Sequence, residues 1–182
     1  MASRIITLPN QLTFLRLGFL PFFILSIFYD RYDWALAILL AAAASDALDG
    51  LLARKLNQKT ALGAYLDPIA DKLLLSSSFL VLAMKGKISW WLTILVLSRD
   101  VLILAVAATI ILVAGYRPFP PTLFGKAATG AQILLVFAVL ASALVESEAV
   151  DQLLHVTVFV AAGLTIISGL HYSFIIARRL SS

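Results

Sequence analysis

Long apolar runs alternate with short polar clusters along this chain, and the alternation predicts six helices. The runs cover about 10–29, 33–55, 64–84, 89–115, 124–145 and 151–178. Each holds the roughly 20 residues that cross the hydrocarbon core of a bilayer. The breaks fall at Asp30-Arg31-Tyr32-Asp33, Lys55 to Thr60, Lys85-Gly86-Lys87, Tyr116 to Pro121, and Glu146 to Asp151. Asn10 to Phe28 resembles a secretory leader in its apolar character. It is long enough to span, however, carries Arg16 inside it and has no small-residue cleavage site after it, so it is read as a helix. Trp90 and Trp91 fit an interfacial belt, with packing inside the bundle as the alternative. Ala41 to Ala44 is a small-residue stretch of the kind that lets membrane helices pack closely.

Composition sharpens this picture. The chain has 182 residues, of which 62% are hydrophobic and 13% charged, and its mean hydropathy is +0.99. Soluble domains run near a quarter charged, so the expected class is all-α: a polytopic membrane bundle forming one domain over 1–182, with no soluble domain. Cysteine is absent, which excludes disulfides, thiolate metal sites and cysteine nucleophiles. The net charge of +4 is informative through its distribution and is no nucleic-acid signal. With six spans and both termini on one side, that side receives Arg4, Arg54, Lys55, Lys59, Arg117, Lys126, Arg178 and Arg179. The other side receives Arg31, Lys85 and Lys87, and Arg16, Lys72 and Arg99 fall within spans. The positive-inside rule then puts both termini in the cytoplasm. Arg16 is expected to snorkel to the cytoplasmic interface, and Arg178-Arg179 to anchor on anionic headgroups.

Four of the ten acidic residues, Asp46, Asp49, Asp67 and Asp71, lie within 26 positions between apolar runs. A carboxylate at the centre of a membrane helix costs about 2.5–3.5 kcal/mol on insertion scales, so four together need a reason. A hard divalent cation supplies one, since it takes oxygen ligands and cancels their mutual repulsion. At 100° per residue, Asp46, Asp49, Gly50 and Ala53 share one arc of the second helix. Asp67 and Asp71 are four apart and share a face of the third. Asp67-Pro68 reads as a helix start, with a start near Gly63 as the alternative. The short 55–62 connection makes the two helices antiparallel neighbours and sets both Asp pairs at one depth, the arrangement of a metal cage. Gly50, Ala53 and Gly63 have no bulk, which suits either close approach of a ligand to the backbone or close helix packing. Arg54 could pair with an Asp or grip a phosphate.

Asp46, Asp49, Gly50, Ala53, Arg54, Gly63, Asp67 and Asp71 together spell D-x2-D-G-x2-A-R-x8-G-x3-D-x3-D. This pattern resembles the CDP-alcohol phosphatidyltransferase family at every defining position. Leu8-Pro9-Asn10-Gln11-Leu12-Thr13 with Arg16 and Pro21 is similar to its phosphatidylglycerolphosphate synthase and cardiolipin synthase branch, as is Leu62 to Lys72. The resemblance implies that an alcohol attacks the lipid-bearing phosphorus of CDP-diacylglycerol and CMP leaves. It further implies that Asp46, Asp49, Asp67 and Asp71 hold Mg²⁺ or Mn²⁺, two ions in all. Asp71 would take the acceptor's proton, and Asp49, Gly50, Ala53, Arg54 and Gly63 would bind the CDP moiety. A homodimer in a bacterial cell membrane, with its site on the cytoplasmic face, is the expected setting.

The acceptor is read from residues outside the motif. Glycerol 3-phosphate is dianionic and asks for a basic pocket, for which Lys72, Arg99, Arg117 and Lys126 are the candidates. Ser98-Arg99-Asp100-Val101-Leu102 resembles the cardiolipin branch, whose acceptor is phosphatidylglycerol, because bacterial synthases of the glycerophosphate type usually carry Glu after the Arg. Gly125-Lys126 resembles the glycerophosphate branch. Glycerol 3-phosphate is the favoured acceptor and phosphatidylglycerol the alternative, ahead of inositol phosphate and other alcohols. Arg99 and Asp100 could equally pair with interior polar groups. His155 is read as a packing or interfacial residue, and His171 and Tyr172 lie nearer the cytoplasmic side. A cation transporter is the competing class, but it predicts midplane carboxylates repeated in two halves, whereas this chain has one cluster biased to one face.

Overall fold

The computed structural model describes the backbone of residues 8–56, 61–114 and 122–180, and the side chains of 14–45, 70–105 and 122–174. Among the described residues every regular element is a helix: α1 (Leu8–Phe28), α2 (Tyr32–Leu56), α3 (Ala61–Met84), α4 (Trp90–Ala114), α5 (Leu123–Ser142) and α6 (Glu148–Leu180). The apolar runs therefore mark the helices to within about three residues at each end. Helix α3 is the informative difference. It begins at Ala61, so Gly63 lies in its first turn, and Asp67-Pro68 is helix interior. The apolar register after the polar break outweighs the local capping signal. Pro68 then removes one backbone bond within the helix.

The chain divides into two compact units, Met1–Lys85 and Gly86–Ser182. In the first, α1 packs against both α2 and α3. The buried stripe of α1 holds Arg16, Phe23 and Ile27, and that of α2 holds Tyr32, Ala35, Leu39 and Ala42, each near helical spacing. Of the Ala41 to Ala44 stretch, Ala42 is buried and the other three are exposed.

The turn from α1 to α2 is built around Asp30. The Arg31 N–H donates to the Ser26 carbonyl at 2.8 Å and the Asp30 N–H to that of Ile27 at 3.1 Å, the paired bonds of a Schellman motif. Asp30 takes the left-handed position with φ 55°, which Asp tolerates better than most residues. Its carboxylate accepts from the Tyr32 hydroxyl at 2.9 Å and pairs with Lys85 Nζ at 2.6 Å. That contact ties the end of α3 to the α1–α2 turn. Beside it, Arg31 pairs with Asp33 at 3.0 Å, and the Asp33 hydrogen bonds and charge raise the guanidinium pKa above its ordinary value.

In the second unit α6 packs against both α4 and α5. Its buried face reads Thr157, Ala161, Thr165, Ser168 and Tyr172, a run of mostly small side chains at helical spacing that lets backbones approach. Gln132 of α5 donates to Thr165 at 3.0 Å. Large apolar side chains also cover the outside of both units, among them Phe22, Trp34, Ile94, Leu123, Phe159 and Leu170. Trp90 and Trp91 are half exposed at the start of α4, as a belt residue would be. Among the described residues two helices, Leu123–Ser142 and Glu148–Phe174, are long and apolar enough to cross a membrane, and Phe14–Phe28 and Tyr32–Ser45 are shorter apolar helices.

Candidate active site

The first unit runs up, down and up, and the Asp30–Lys85 contact gives its three helices a common end from which depth can be counted. Arg16 lies 12 residues before Phe28, Asp46 lies 14 after Tyr32, and Asp71 lies 13 before Met84. At 1.5 Å per residue these are depths of about 18, 21 and 20 Å. Asp49 and Asp67 each lie 17 residues from the same helix ends, or about 26 Å. Asp46 and Asp71 thus share one level, and Asp49 and Asp67 share another about one turn deeper. Helical periodicity then keeps each motif pair on a single face of its helix.

Asp71 is the motif residue whose side chain is described, and it is 50% exposed. Its Oδ1 accepts a hydrogen bond from Nη1 of Arg16, a residue 2% exposed on the core stripe of α1. The expectation that Arg16 snorkels to the interface is overturned, because its guanidinium is held inside the unit by a carboxylate. No sequence spacing links positions 16 and 71, so this partner is not legible from the chain alone. Lys72, next along α3, is partly exposed.

In the second unit Arg99 and Asp100 are buried, at 6% and 4% exposure. Arg99 Nη1 donates to Asp100 at 2.7 Å, while its Nη2 donates to Ser168 at 2.9 Å and to the Gly125 carbonyl at 3.3 Å. One guanidinium therefore joins α4, α5 and α6. Thr122 caps α5, its hydroxyl accepting from the Gly125 N–H at 3.1 Å. A Cβ on Gly125 would meet Thr122 Oγ1 and the Tyr172 hydroxyl at 3.2 Å and Arg99 Nη2 at 3.3 Å, so Gly125 lets these groups converge. Ser168 and Thr122 are the partners that reading by residue type did not single out, whereas Tyr172 stands with His171 among the residues expected nearer the cytoplasmic side. Both Arg99 and Asp100 take up the interior pairing foreseen as one of their two readings. Lys126 is exposed on the first turn of α5. His155 Nδ1 lies 2.8 Å from the Asp151 carbonyl on an exposed face, and the His171 ring is 5.1 Å from that of Phe124.

The remaining expected site residues are placed as backbone only or not at all. Asp46, Asp49, Gly50, Ala53 and Arg54 lie on α2, and Gly63 and Asp67 on α3, all outside the described side chains. Arg117 lies outside the described residues. Among the described residues no group of three or more His, Asp or Glu forms a metal cluster, and of the four motif carboxylates those residues include Asp71. A cleft of about 460 Å³ lined by Phe19, Phe22, Leu25, Trp34 and Ile38 lies toward the α1–α2 turn. Ile38 is eight residues short of Asp46 on α2, about 12 Å along the axis, so this cleft lies away from the level of the acids.

The profile of one protein family, CDP-alcohol phosphatidyltransferase, matches residues 6–176. The chain belongs to that family. Its similarity to individual family members covers less of the chain. A putative cardiolipin synthase of Mycobacterium tuberculosis (strain ATCC 25618 / H37Rv) is 38% identical over 128 residues, 70% of this chain and 61% of the relative. A probable phosphatidylglycerophosphate synthase of the same strain is 43% identical over 104 residues, 54% of this chain and 50% of the relative. A CDP-diacylglycerol–glycerol-3-phosphate 3-phosphatidyltransferase of Pseudomonas fluorescens is 38% identical over 144 residues, 74% of this chain and 72% of the relative. The chain thus spans about three fifths of the length of the cardiolipin synthase relatives it matches.

Proposed function

We propose that this CDP-alcohol phosphatidyltransferase moves the phosphatidyl group of CDP-diacylglycerol to an alcohol, with glycerol 3-phosphate as the favoured acceptor and phosphatidylglycerol phosphate as product. The observation that carries the reading is the complete eight-residue motif, set on consecutive helices α2 and α3 of a chain matched over 6–176. The chain works as one membrane domain of six spans with both termini in the cytoplasm. Its acids face the cytoplasmic side of a bacterial cell membrane, and it acts as a homodimer.

The donor set fits a hard divalent ion: four carboxylates on two unbroken helices, paired at two levels one turn apart. Asp46, Asp49, Asp67 and Asp71 would hold Mg²⁺ or Mn²⁺, and two such ions supply charge neutralisation on the pyrophosphate and on the leaving CMP. Gly50, Ala53 and Gly63 leave room for the nucleotide to approach the backbone, and Arg54 grips phosphate. Asp71 accepts the acceptor hydroxyl's proton. The hydroxyl oxygen forms its bond to the lipid-bearing phosphorus as the bond from that phosphorus to the bridging oxygen breaks, and the bridging oxygen leaves on CMP with the electron pair. Lys126, exposed at the start of α5, and Lys72 and Arg117 remain candidate cations for the acceptor's phosphate, whereas the Arg99 guanidinium is already engaged by Asp100 and Ser168.

A second reading, cardiolipin synthesis with phosphatidylglycerol as acceptor, is favoured by Ser98-Arg99-Asp100 and by the names of several relatives. One experiment separates the two. Purified protein is given CDP-diacylglycerol, Mg²⁺ or Mn²⁺ and either acceptor, and CMP release and lipid product are followed. Phosphatidylglycerol phosphate is the expected product, and chelation is expected to stop the reaction. Cardiolipin as the sole product would move the assignment to the second reading, and turnover that survives chelation would remove the metal from it.

A further inference from the structure

We propose that Arg16 is a positioning residue for Asp71: anchored in the core of the first unit, it holds the exposed carboxylate in the orientation from which it takes the acceptor's proton. This rests on the phosphatidyl-transfer reading above. Arg16 occupies the α1 stripe that also buries Phe23 and Ile27, a place where an apolar side chain would serve packing. Stability alone does not explain a guanidinium there, because burying the cation carries a desolvation penalty that an ion pair with a half-exposed carboxylate offsets only in part. The pair is also unequal. The cation is 2% exposed and the anion 50% exposed, so water could solvate Asp71 without help. What solvent cannot supply is a fixed direction. A buried guanidinium presents rigid, planar donors, and its Nη1 bond to Oδ1 joins α1 to α3 across 55 positions of sequence. The bond lies at the depth shared by Asp46 and Asp71, so its effect falls on the level of the motif.

The full chain is purified as wild type, Arg16→Lys, Arg16→Met, Asp71→Asn and the Arg16→Met/Asp71→Asn double variant. CMP release is measured with Mg²⁺, CDP-diacylglycerol and each acceptor, and thermal unfolding is followed in metal-free detergent. Arg16→Met is expected to lower kcat by about 100-fold, the scale of a misplaced catalytic group, with both KM values within about twofold of wild type. Arg16→Lys, which restores charge without the planar fork, is expected to recover about tenfold of that loss while melting close to wild type. In the Asp71→Asn background, Arg16→Met is expected to change residual kcat by less than about twofold, and the metal-free melting shifts of the pair to be non-additive. If Arg16→Met does not fold, Arg16→Lys decides by the same kcat-against-KM split. A folded Arg16 variant with wild-type kcat overturns the inference, as does a loss confined to KM or an equal loss with and without the Asp71 carboxylate. Wild type that releases no CMP with any acceptor overturns the transfer reading itself, and this inference with it. Failure in the variants alone leaves that reading standing.

Discussion

Asp71 and Gly125 are the residues at which single atoms matter most. Asp71 has an exposed carboxylate with a buried partner, and the general-base role proposed for it typically contributes 10²–10⁴-fold to rate. Asp71→Asn keeps the shape and removes the basic oxygen, so CMP release is expected to fall at least about 100-fold; near-wild-type turnover would remove Asp71 as the base. Gly125 tests packing instead of chemistry. Alanine there gains about 1 kcal/mol of helix propensity but crowds three side-chain tips at 3.2–3.3 Å, and overpacking typically costs about 1–3 kcal/mol. The two terms nearly offset, leaving an expected net loss of about 0–2 kcal/mol in thermal unfolding. Gly125→Val should lose clearly more. Substitutions more stable than wild type would mean that the convergence of Thr122, Tyr172 and Arg99 is looser than described.

At the scale of elements, most of the fold is legible in the chain because helix length and apolar period are local properties. The polar clusters mark every break, and the observed ends differ from the expected ones by a few residues. The one local ambiguity is instructive. Of the two starts open for α3, Asp67-Pro68 carries a real capping signal, yet the helix starts at Ala61, beside the Gly63 alternative, and takes Pro68 into its interior. The site is legible to a lesser degree. Its acids announce themselves by spacing, whereas Arg16 and Ser168 do not, because their partners are 55 and 69 positions away and only packing brings them together. The α1–α2 turn offers a test at this scale. Asp30→Gly should retain the left-handed turn while losing the carboxylate's bonds to Tyr32 and Lys85, part-buried contacts worth about 1–2 kcal/mol together. Asp30→Val adds a branched side chain at φ 55° and should cost about 1–2 kcal/mol more. Equal melting temperatures for the two variants would show that the backbone does not need that conformation.

For the molecule as a whole, the expected orientation follows from charge and from the placement of the motif at the end of the first unit away from Asp30 and Lys85. The absence of cysteine makes it directly measurable. In intact cells, Gly86→Cys should react with a membrane-impermeant maleimide, whereas Ser182→Cys should react only after the membrane is opened. The reverse pattern would invert the topology and move the site to the other face. Apolar side chains on the outside of both units support a lipid-facing surface, and within lipid the units cohere through dispersion and hydrogen bonding more than through exclusion of water. Polar contacts such as Gln132 with Thr165 therefore help specify the packing of such a bundle.

The Arg99 junction has a consequence for how such a chain can change over generations. Its guanidinium is shared among Asp100, Ser168 and the Gly125 carbonyl, with Tyr172 and Thr122 closing round the same glycine. No one of these positions can drift alone without loosening the others. Across related sequences, substitutions at 99, 100, 122, 125, 168 and 172 are expected to arrive in correlated sets. Transplanting a single residue at this junction from one branch to another should then be poorly tolerated where transplanting the whole set succeeds.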